Sequence, residues 1–235
     1  MKEETFGHIR FIAGKSFPLS TDSVLLSAFA RPPKNASVCD LGCGSGAVGL
    51  QLLGRDPSLR VTGIDFDPEA ILDAQENCKR NQLDSQFTVL QGDLREIRSL
   101  LPAGSFTCAV SNPPYFTCSS GAVHATAPRA RSEEVCSLSD LFAAAAWLLP
   151  TSGRFYLVYR PERLTDLLST ARSFALEPKR IRFVRHRPNA KISLVLLECR
   201  KNGGPGLQFE PDLLLYDAEG RETVESRAIY HKEDL

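Results

Sequence analysis

Two strand-to-turn junctions constrain the fold of this chain more than any other feature. Residues 40 to 46 read Asp-Leu-Gly-Cys-Gly-Ser-Gly and follow a short apolar run, residues 37 to 39. Residues 112 to 115 read Asn-Pro-Pro-Tyr and follow a second apolar run, residues 106 to 110. In an open parallel sheet the strands end at one edge, and ligands bind there. We therefore expect the two turns to form one site.

Strand and helix patterns alternate on both sides of these junctions. Strands are predicted at residues 37 to 41, 61 to 65, 87 to 90, 106 to 111, 153 to 160, 180 to 185 and 192 to 199. Helices are predicted between them, at about residues 46 to 54, 67 to 78, 94 to 101, 137 to 149 and 161 to 174. This order predicts an α/β fold with a doubly wound, seven-stranded, mostly parallel sheet that ends in an antiparallel hairpin.

Three regions are predicted along the chain. Residues 1 to 36 form a lead-in, in which residues 6 to 17 are compatible with a hairpin and Ser20-Thr21-Asp22 begins a helix. Residues 37 to 200 form the main domain, and residues 201 to 235 form a tail rich in glycine and charge. A further stretch, residues 116 to 136, has no regular pattern, and a loop of this length is usually functional or mobile.

The composition is that of an ordinary globular protein, with 43% apolar and 24% charged residues and a formal net charge of zero. No apolar stretch is long enough to cross a bilayer, and the acidic start of the chain predicts no signal peptide. The seven cysteines include no C-x-x-C pair. We therefore expect a cytoplasmic protein with neither a metal site nor disulfide bonds, and without membrane association.

The glycine turn is compatible with two nucleoside cofactors. Residues 44 to 49 match the G-x-G-x-x-G pattern of dinucleotide sites, and Asp65, nineteen residues after Gly46, suits ribose hydroxyls in either case. Two acids favour S-adenosyl-L-methionine instead. Asp40 precedes the glycines, where a carboxylate suits a cofactor amino group, and Asp93 follows the third strand, where it suits an adenine amino group. Asp93 is equally compatible with a simple helix cap.

The Asn-Pro-Pro-Tyr turn indicates methylation of a planar nitrogen. Such a nitrogen is a poor nucleophile because its lone pair is delocalised. The Asn112 side-chain oxygen and the Pro113 carbonyl can each accept one of its N–H groups and so align it. Pro113 and Pro114 lack competing N–H donors, and Tyr115 offers a flat face for stacking a base. The same letters also mark ordinary turns.

Basic residues suggest contact with nucleic acid. They are Lys179, Arg182, Arg185, Arg187 and Lys191 near the predicted hairpin, and His124, Arg129 and Arg131 in the loop after the Asn-Pro-Pro-Tyr turn. The first five belong, together with Arg180, to a basic run from residue 179 to 191 that contains no acid. Alternatively, the hairpin has a basic face that contacts only solvent, and the loop residues are polar side chains without a binding role. We expect the nucleic acid to be tRNA, because of the family resemblance described next.

These motifs resemble those of class I S-adenosylmethionine-dependent amino-methyltransferases. The stretches at residues 20 to 26, 153 to 164 and 176 to 180 resemble more narrowly the tRNA1(Val) adenine-37 N6-methyltransferase family, as does the tail from residue 215 to 230. The resemblance implies methyl transfer to N6 of an adenosine beside the anticodon. One departure is Ala-Arg-Ser-Glu at residues 130 to 133, where the family tends to have Ala-Arg-His-Glu, and it bears on which nucleotides this loop reads.

The resemblance also implies roles for individual residues. Asn112, Pro113, Pro114 and Tyr115 would hold the base. The cofactor-binding residues would be Thr21, Asp22, Asp40, Gly42, Gly44, Gly46, Asp65, Phe66, Asp93, Leu94 and Asn112.

Two other functions remain open from the sequence. A protein glutamine N5-methyltransferase acting on release factors needs the same turn, but that family usually carries a helical domain ahead of the glycine turn, and only 36 residues precede Ser37 here. A non-catalytic dinucleotide-binding module would use the glycine turn alone.

Overall fold

The structure is a computed structural model that describes residues 2–6, 8–13, 19–113 and 136–230. The chain begins with a hairpin of β1 (Lys2–Phe6) and β2 (Ile9–Ala13). The strands of the central sheet follow: β3 (Ser37–Leu41), β4 (Arg60–Asp65), β5 (Phe87–Gln91), β6 (Cys108–Ser111), β7 (Arg154–Tyr159), β8 (Leu176–Arg185), β9 (Ile192–Lys201), β10 (Gln208–Phe209) and β11 (Leu213–Leu214).

The sheet has the order β10-β8-β9-β7-β6-β3-β4-β5, with β11 also paired to β8. Strands β3 to β7 run parallel to one another, and β9 is antiparallel to both of its neighbours, β7 and β8. The seven strands from β3 to β9 confirm the predicted doubly wound sheet and its terminal antiparallel hairpin. Two short strands from the C-terminal region extend this sheet.

Helices cover both faces of the sheet. They are α1 (Thr21–Phe29), α2 (Ala47–Arg55), α3 (Pro68–Arg80), α4 (Ile97–Leu100), α5 (Leu138–Leu148), α6 (Leu164–Ser173) and α7 (Val224–Ile229), with 3-10 turns at Leu94–Glu96 and Pro161–Arg163. Buried residues of α1, α2 and α3 join one hydrophobic cluster, and those of α4, α5 and α6 join the other. Among the described residues, no helix is both long and apolar enough to span a membrane.

The lead-in differs from its prediction. The hairpin occupies Lys2–Ala13 instead of residues 6 to 17, because side chains at the C-terminal end of α3 and just after it hold the edge of β2. Asn77 Oδ1 accepts from the Ile12 N–H at 2.9 Å, and Asn81 Oδ1 accepts from the Arg10 N–H at 2.8 Å. Asn77 also donates to the Ser45 carbonyl at 3.2 Å, so the same side chain connects the hairpin to the glycine turn.

Helix starts agree well with the predicted caps. Ser20 caps α1 and Asp67 caps α3 by accepting backbone N–H bonds, and Pro68 occupies the first turn of α3. Strand β8 is longer than predicted, since Leu176 already pairs with Lys201 of β9. The described elements after residue 201 were not predicted.

Candidate active site

Strand β3 ends in a turn that only glycine fits without strain. Gly42 and Gly46 have positive φ angles of 71° and 83°. The N–H groups of Gly42 and Cys43 donate to the Ile64 carbonyl at 2.9 and 3.0 Å, which fixes the turn against the end of β4. A Cβ added at Gly42 would meet no atom within 4 Å. The turn therefore leaves open space at the edge of the sheet where a ligand can approach the backbone.

Asp40 has an unused oxygen inside this region. The residue is 1% exposed, and its Oδ2 accepts from the Gly49 N–H at 3.2 Å. Its Oδ1 is buried and has no hydrogen-bond partner among the described residues. Burial, with the charge of Asp65 as a smaller contribution, raises the pKa of Asp40 to about 7. A buried, unpaired carboxylate oxygen is suited to a ligand's amino group, and this is the predicted role of Asp40.

Asp65 is fixed by the backbone of both neighbouring turns. Its Oδ2 accepts from the Gly44 N–H at 2.8 Å, and its Oδ1 accepts from the Asp67 N–H at 3.0 Å. Burial raises the pKa of this carboxyl group, although the backbone hydrogen bonds oppose the shift. A carboxylate can accept further hydrogen bonds beside these, which suits the predicted contact with ribose hydroxyls. The adjacent Phe66 is 50% exposed, so its ring is accessible at this edge of the sheet.

Asp93 acts as a helix cap. Its carboxylate accepts from the Arg95 N–H at 2.9 Å and also forms an ion pair with the Arg95 guanidinium. The Arg95 side chain, hydrogen-bonded to it, lowers the pKa of Asp93. The capping interpretation is thus confirmed, and contact with adenine stays a prediction. Leu94, the next residue, is partly buried against the second hydrophobic cluster.

The end of β6 brings Asn112 beside the glycine turn. Ser111 Oγ donates to the Leu41 carbonyl at 2.7 Å, which aligns the ends of β6 and β3. Asn112 Nδ2 lies 3.2 Å from Ser20 Oγ and 2.9 Å from Ser23 Oγ, at the start of α1. The sequence indicates Ser20 only as a helix cap and does not single out Ser23, because nothing in the local pattern signals a contact with a residue about ninety positions away.

The same contacts bring the start of α1 to this edge of the sheet. Thr21 and Asp22 form the first turn of the helix, between the two serines that meet Asn112. Burial raises the pKa of Asp22, and the positive charge of Arg160 opposes that shift. The predicted cofactor residues of the lead-in, of the glycine turn and of β6 therefore converge. Pro113 is buried, and Pro114 and Tyr115 lie outside the described residues.

Comparison with known proteins identifies the family. Residues 20–171 match the family model described as methyltransferase small domain. A tRNA1(Val) (adenine(37)-N6)-methyltransferase of Porphyromonas gingivalis is 33% identical over 193 residues, which cover 80% of this chain and 76% of that protein. The chain belongs to this methyltransferase family. The enzyme of the same name from Parabacteroides distasonis is 32% identical over 182 residues, or 77% of this chain and 75% of its own.

A solved structure agrees on the fold. The crystal structure of a predicted O-methyltransferase from Agrobacterium tumefaciens superposes with a TM-score of 0.74 and 18% identity, covering 90% of this chain and 96% of that one. The family membership rules out a non-catalytic dinucleotide module, and the relatives do not favour a release-factor methyltransferase. The methyltransferase uses S-adenosyl-L-methionine as its cofactor. Asp40 Oδ1 and the open face of Gly42 fit that group.

Most of the predicted RNA-binding residues of the methyltransferase are engaged elsewhere or not described. His124, Arg129 and Arg131 lie outside the described residues. Three others already have partners within the fold: Lys179 donates to the carbonyls of Gly204 and Pro205, Arg182 pairs with Glu225, and Arg185 pairs with Asp212.

Arg187 and Lys191 are the members of the set that remain exposed, and neither forms an ion pair within the described part of the chain. They lie in the hairpin that joins β8 and β9. Val195 of β9 pairs with both Tyr159, the last residue of β7, and Phe183 of β8. The hairpin beyond that level projects past the end of β7, at the edge where Asn112 lies.

Proposed function

We propose that this chain transfers the methyl group of S-adenosyl-L-methionine to N6 of adenosine 37 in tRNA1(Val), the reaction for which its relatives are named. The observation that carries the proposal is the contact of Asn112 with the start of α1, directly after Ser111, which bonds to the Leu41 carbonyl ahead of the glycine turn. This arrangement puts an acceptor for an amino group next to the proposed cofactor site.

The chain supplies groups that match the polar parts of the cofactor. Asp40 Oδ1 is proposed to accept from its amino group, and the Asp65 carboxylate from its ribose hydroxyls. Phe66 and Leu94 are proposed to pack against the adenine. When bound, the cofactor supplies a methyl group on a positively charged sulfur, which is already a strong electrophile. The protein therefore has to supply alignment more than activation.

Alignment of the acceptor nitrogen is assigned to the turn after β6. Asn112 Oδ1 and the Pro113 carbonyl accept the two N–H groups of the target adenine, which fixes the amino group and favours positive charge on its nitrogen. This nitrogen becomes acidic only after it has gained the methyl group, so no strong base is needed before transfer. Tyr115 remains the predicted stacking partner of the base.

The hairpin tip is proposed to hold the RNA backbone. Arg187 and Lys191 offer two unpaired positive charges at the same edge as Asn112, where phosphates beside the target adenosine would lie. Next to them, the rings of His186 and Tyr216 have their centres 4.7 Å apart and their planes inclined by 50°, so a single ring face, and not the pair, is proposed to stack on a base. Since tRNA is the substrate, we infer that the enzyme acts in the cytoplasm.

One experiment tests the proposal. The protein is incubated with methyl-labelled cofactor and an unmodified tRNA1(Val) transcript, the same transcript with guanosine at position 37, or a release factor. Nuclease digestion then identifies the labelled nucleoside. We expect N6-methyladenosine from the first transcript and at least a hundredfold less label from the second. Equal labelling of both transcripts would show that adenosine 37 is not the target. Labelling of release-factor glutamine instead of RNA would show that the substrate is a protein.

A further inference from the structure

The side chain of Asn112 is held by two hydroxyl groups from a distant part of the chain. Its Nδ2 lies 3.2 Å from Ser20 Oγ and 2.9 Å from Ser23 Oγ, and the two hydroxyl oxygens are 3.0 Å apart. The serines precede Asn112 by 92 and 89 residues. Both belong to the start of α1, whereas Asn112 follows β6.

The geometry indicates that the Asn112 amide nitrogen donates to both hydroxyls. A triangle with sides of 3.2, 2.9 and 3.0 Å makes the two oxygens subtend about 60° at the amide nitrogen, half of the roughly 120° between its two N–H bonds. One N–H shared as a three-centre bond, or one N–H for each hydroxyl, leaves every N–H about 30° from its N···O line, so in either case the nitrogen donates to both oxygens.

The hydroxyl pair also distinguishes the two ends of the amide. With nitrogen at this position, each of the three contacts is a hydrogen bond: the amide nitrogen donates to both hydroxyl oxygens, and one hydroxyl donates to the other. With the amide rotated by half a turn, three oxygens would face one another with only two protons between them. Asn112 Oδ1 is consequently directed away from α1.

The two hydroxyls are themselves well fixed. Ser20 Oγ accepts the Ser23 N–H at 3.1 Å as the cap of α1. Ser23 is 7% exposed. Further along the helix, the buried Ser27 donates to Gln51 Oε1 of α2 at 2.8 Å, so α1 is anchored independently of Asn112.

We propose that Ser20 and Ser23 are positioning residues for methyl transfer. They hold the Asn112 amide with its oxygen, and not its N–H groups, facing the amino group of the target base. This inference rests on the proposed function. A rotated amide would present a donor to a donor, and the amino group would lose one of its two acceptors. Misalignment of this kind reduces the rate of the bound complex, so kcat carries the effect.

The test combines Ser20→Gly with Ser23→Ala. Glycine is tolerated at a helix cap nearly as well as serine, so the hydroxyls are removed with little change to the helix. We expect kcat to fall at least tenfold, while KM for tRNA and the cofactor Kd stay within twofold. The double variant Ser20→Thr with Ser23→Thr, which restores both hydroxyls, should recover most of the loss. Ser27→Ala, which removes another hydroxyl from the same helix, should leave kcat within twofold.

A coupling measurement separates positioning from general loosening. In an Asn112→Ala background, removing the two serine hydroxyls should change the residual single-turnover rate by less than twofold, because the serines act through Asn112. A further tenfold loss in that background would overturn the proposal, as would an unchanged kcat in the parent background.

A second readout does not depend on activity. In 15N-labelled protein, the side-chain amide signals of Asn112 are identified by their loss in Asn112→Ala. Removing both hydroxyls should make the exchange of these protons with water at least fivefold faster, and unchanged exchange would overturn the contact. If the wild-type chain methylates no RNA while exchange behaves as expected, the proposed function and the catalytic role fail and the contact stands. If the chain methylates RNA but the serine variants keep their kcat, the positioning role alone fails.

Discussion

The Asp65 carboxylate accepts the backbone N–H of Gly44 at 2.8 Å. This bond connects the end of β4 to the glycine turn after β3, so the proposed ribose-binding group and the turn move as one unit. It also brings a second carboxylate near Asp40, and the charge of Asp65 adds to the burial that raises the pKa of Asp40. The affinity for cofactor should therefore depend on pH in a range where isolated carboxylates do not titrate.

Cofactor binding is expected to weaken as the pH falls through 7. The pKa of Asp40 is raised to about 7 from its usual 3.8, so the carboxyl group is largely neutral at pH 6. If binding requires the carboxylate, the Kd should be about tenfold higher at pH 6 than at pH 8. Calorimetric titrations across this range measure it.

The matched variants for this prediction are Asp40→Asn and Asp84→Asn. The first should bind weakly and lose the pH dependence, while the second removes an exposed carboxylate after α3 and should behave as wild type. The same pKa shift also makes the contribution of Asp40 to the free energy of unfolding depend on pH. Because the folded pKa is above the unfolded one, the contribution of Asp40 is most favourable below about pH 4 and is lost as the pH rises towards 7. A Kd that Asp40→Asn leaves unchanged would contradict the assigned role.

RNA affinity is expected to depend on the two exposed cations of the hairpin. Replacing both Arg187 and Lys191 by glutamine should weaken tRNA binding about tenfold at physiological salt and reduce the slope of log K against log salt by about 2. Filter binding at several salt concentrations measures both quantities.

The control is the double change of Lys34 and Lys79 to glutamine. It removes the same charge from exposed positions near the opposite edge of the sheet, where α1 leads into β3 and α3 ends. An equal loss of affinity in this control would mean that only total charge matters and not the hairpin.

Local patterns were sufficient for the strands that form the site. The predicted bounds of β3 are those observed, and those of β4 and β5 differ by one residue, since apolar runs are bounded there by clear turn residues. Strand β6 ends where it was predicted to end but begins two residues later, at Cys108. The contacts that complete the site could not be predicted in this way. Ser23 meets Asn112 only because the sheet brings α1 and β6 together. Likewise β10 has two residues and no periodicity, and it exists through its pairing with Arg180 and Ile181.

Gly49 is the last glycine of the G-x-G-x-x-G pattern, and packing leaves no room for a side chain there. A Cβ at this position would lie 2.6 Å from the ring of Phe87 and 2.9 Å from Val61 Cγ1, both of which are buried. Gly49→Ala should therefore lower the free energy of unfolding by about 1–3 kcal/mol through overpacking, which exceeds the gain in helix propensity. Urea denaturation measures it.

Gly204→Ala is the matched control, since a Cβ there would meet nothing within 4 Å. It should change the free energy of unfolding by less than about 0.5 kcal/mol. Equal effects of the two substitutions would show that α2 can move away from β4 and β5 at little cost.

Arg180 lies within the basic run but has a structural role. Its side chain is 11% exposed and pairs with Glu198, which is 5% exposed, and with Glu210. Its guanidinium also lies 4.3 Å from the centre of the Phe29 ring. Arg180→Ala should therefore lower the free energy of unfolding by about 3–5 kcal/mol, because it leaves a buried carboxylate without its partner.

The control for Arg180 is Arg221→Ala, which removes the ion pairs of a 73% exposed arginine with Asp217 and Glu219 and should leave the free energy of unfolding almost unchanged. Adding Glu198→Gln to Arg180→Ala should recover part of the loss, since the stranded charge is then removed as well. If Arg180→Ala does not change the free energy of unfolding, this arginine is a surface cation like Arg187 and Lys191. The expected loss instead separates the basic run into residues that hold the sheet together and residues available to RNA.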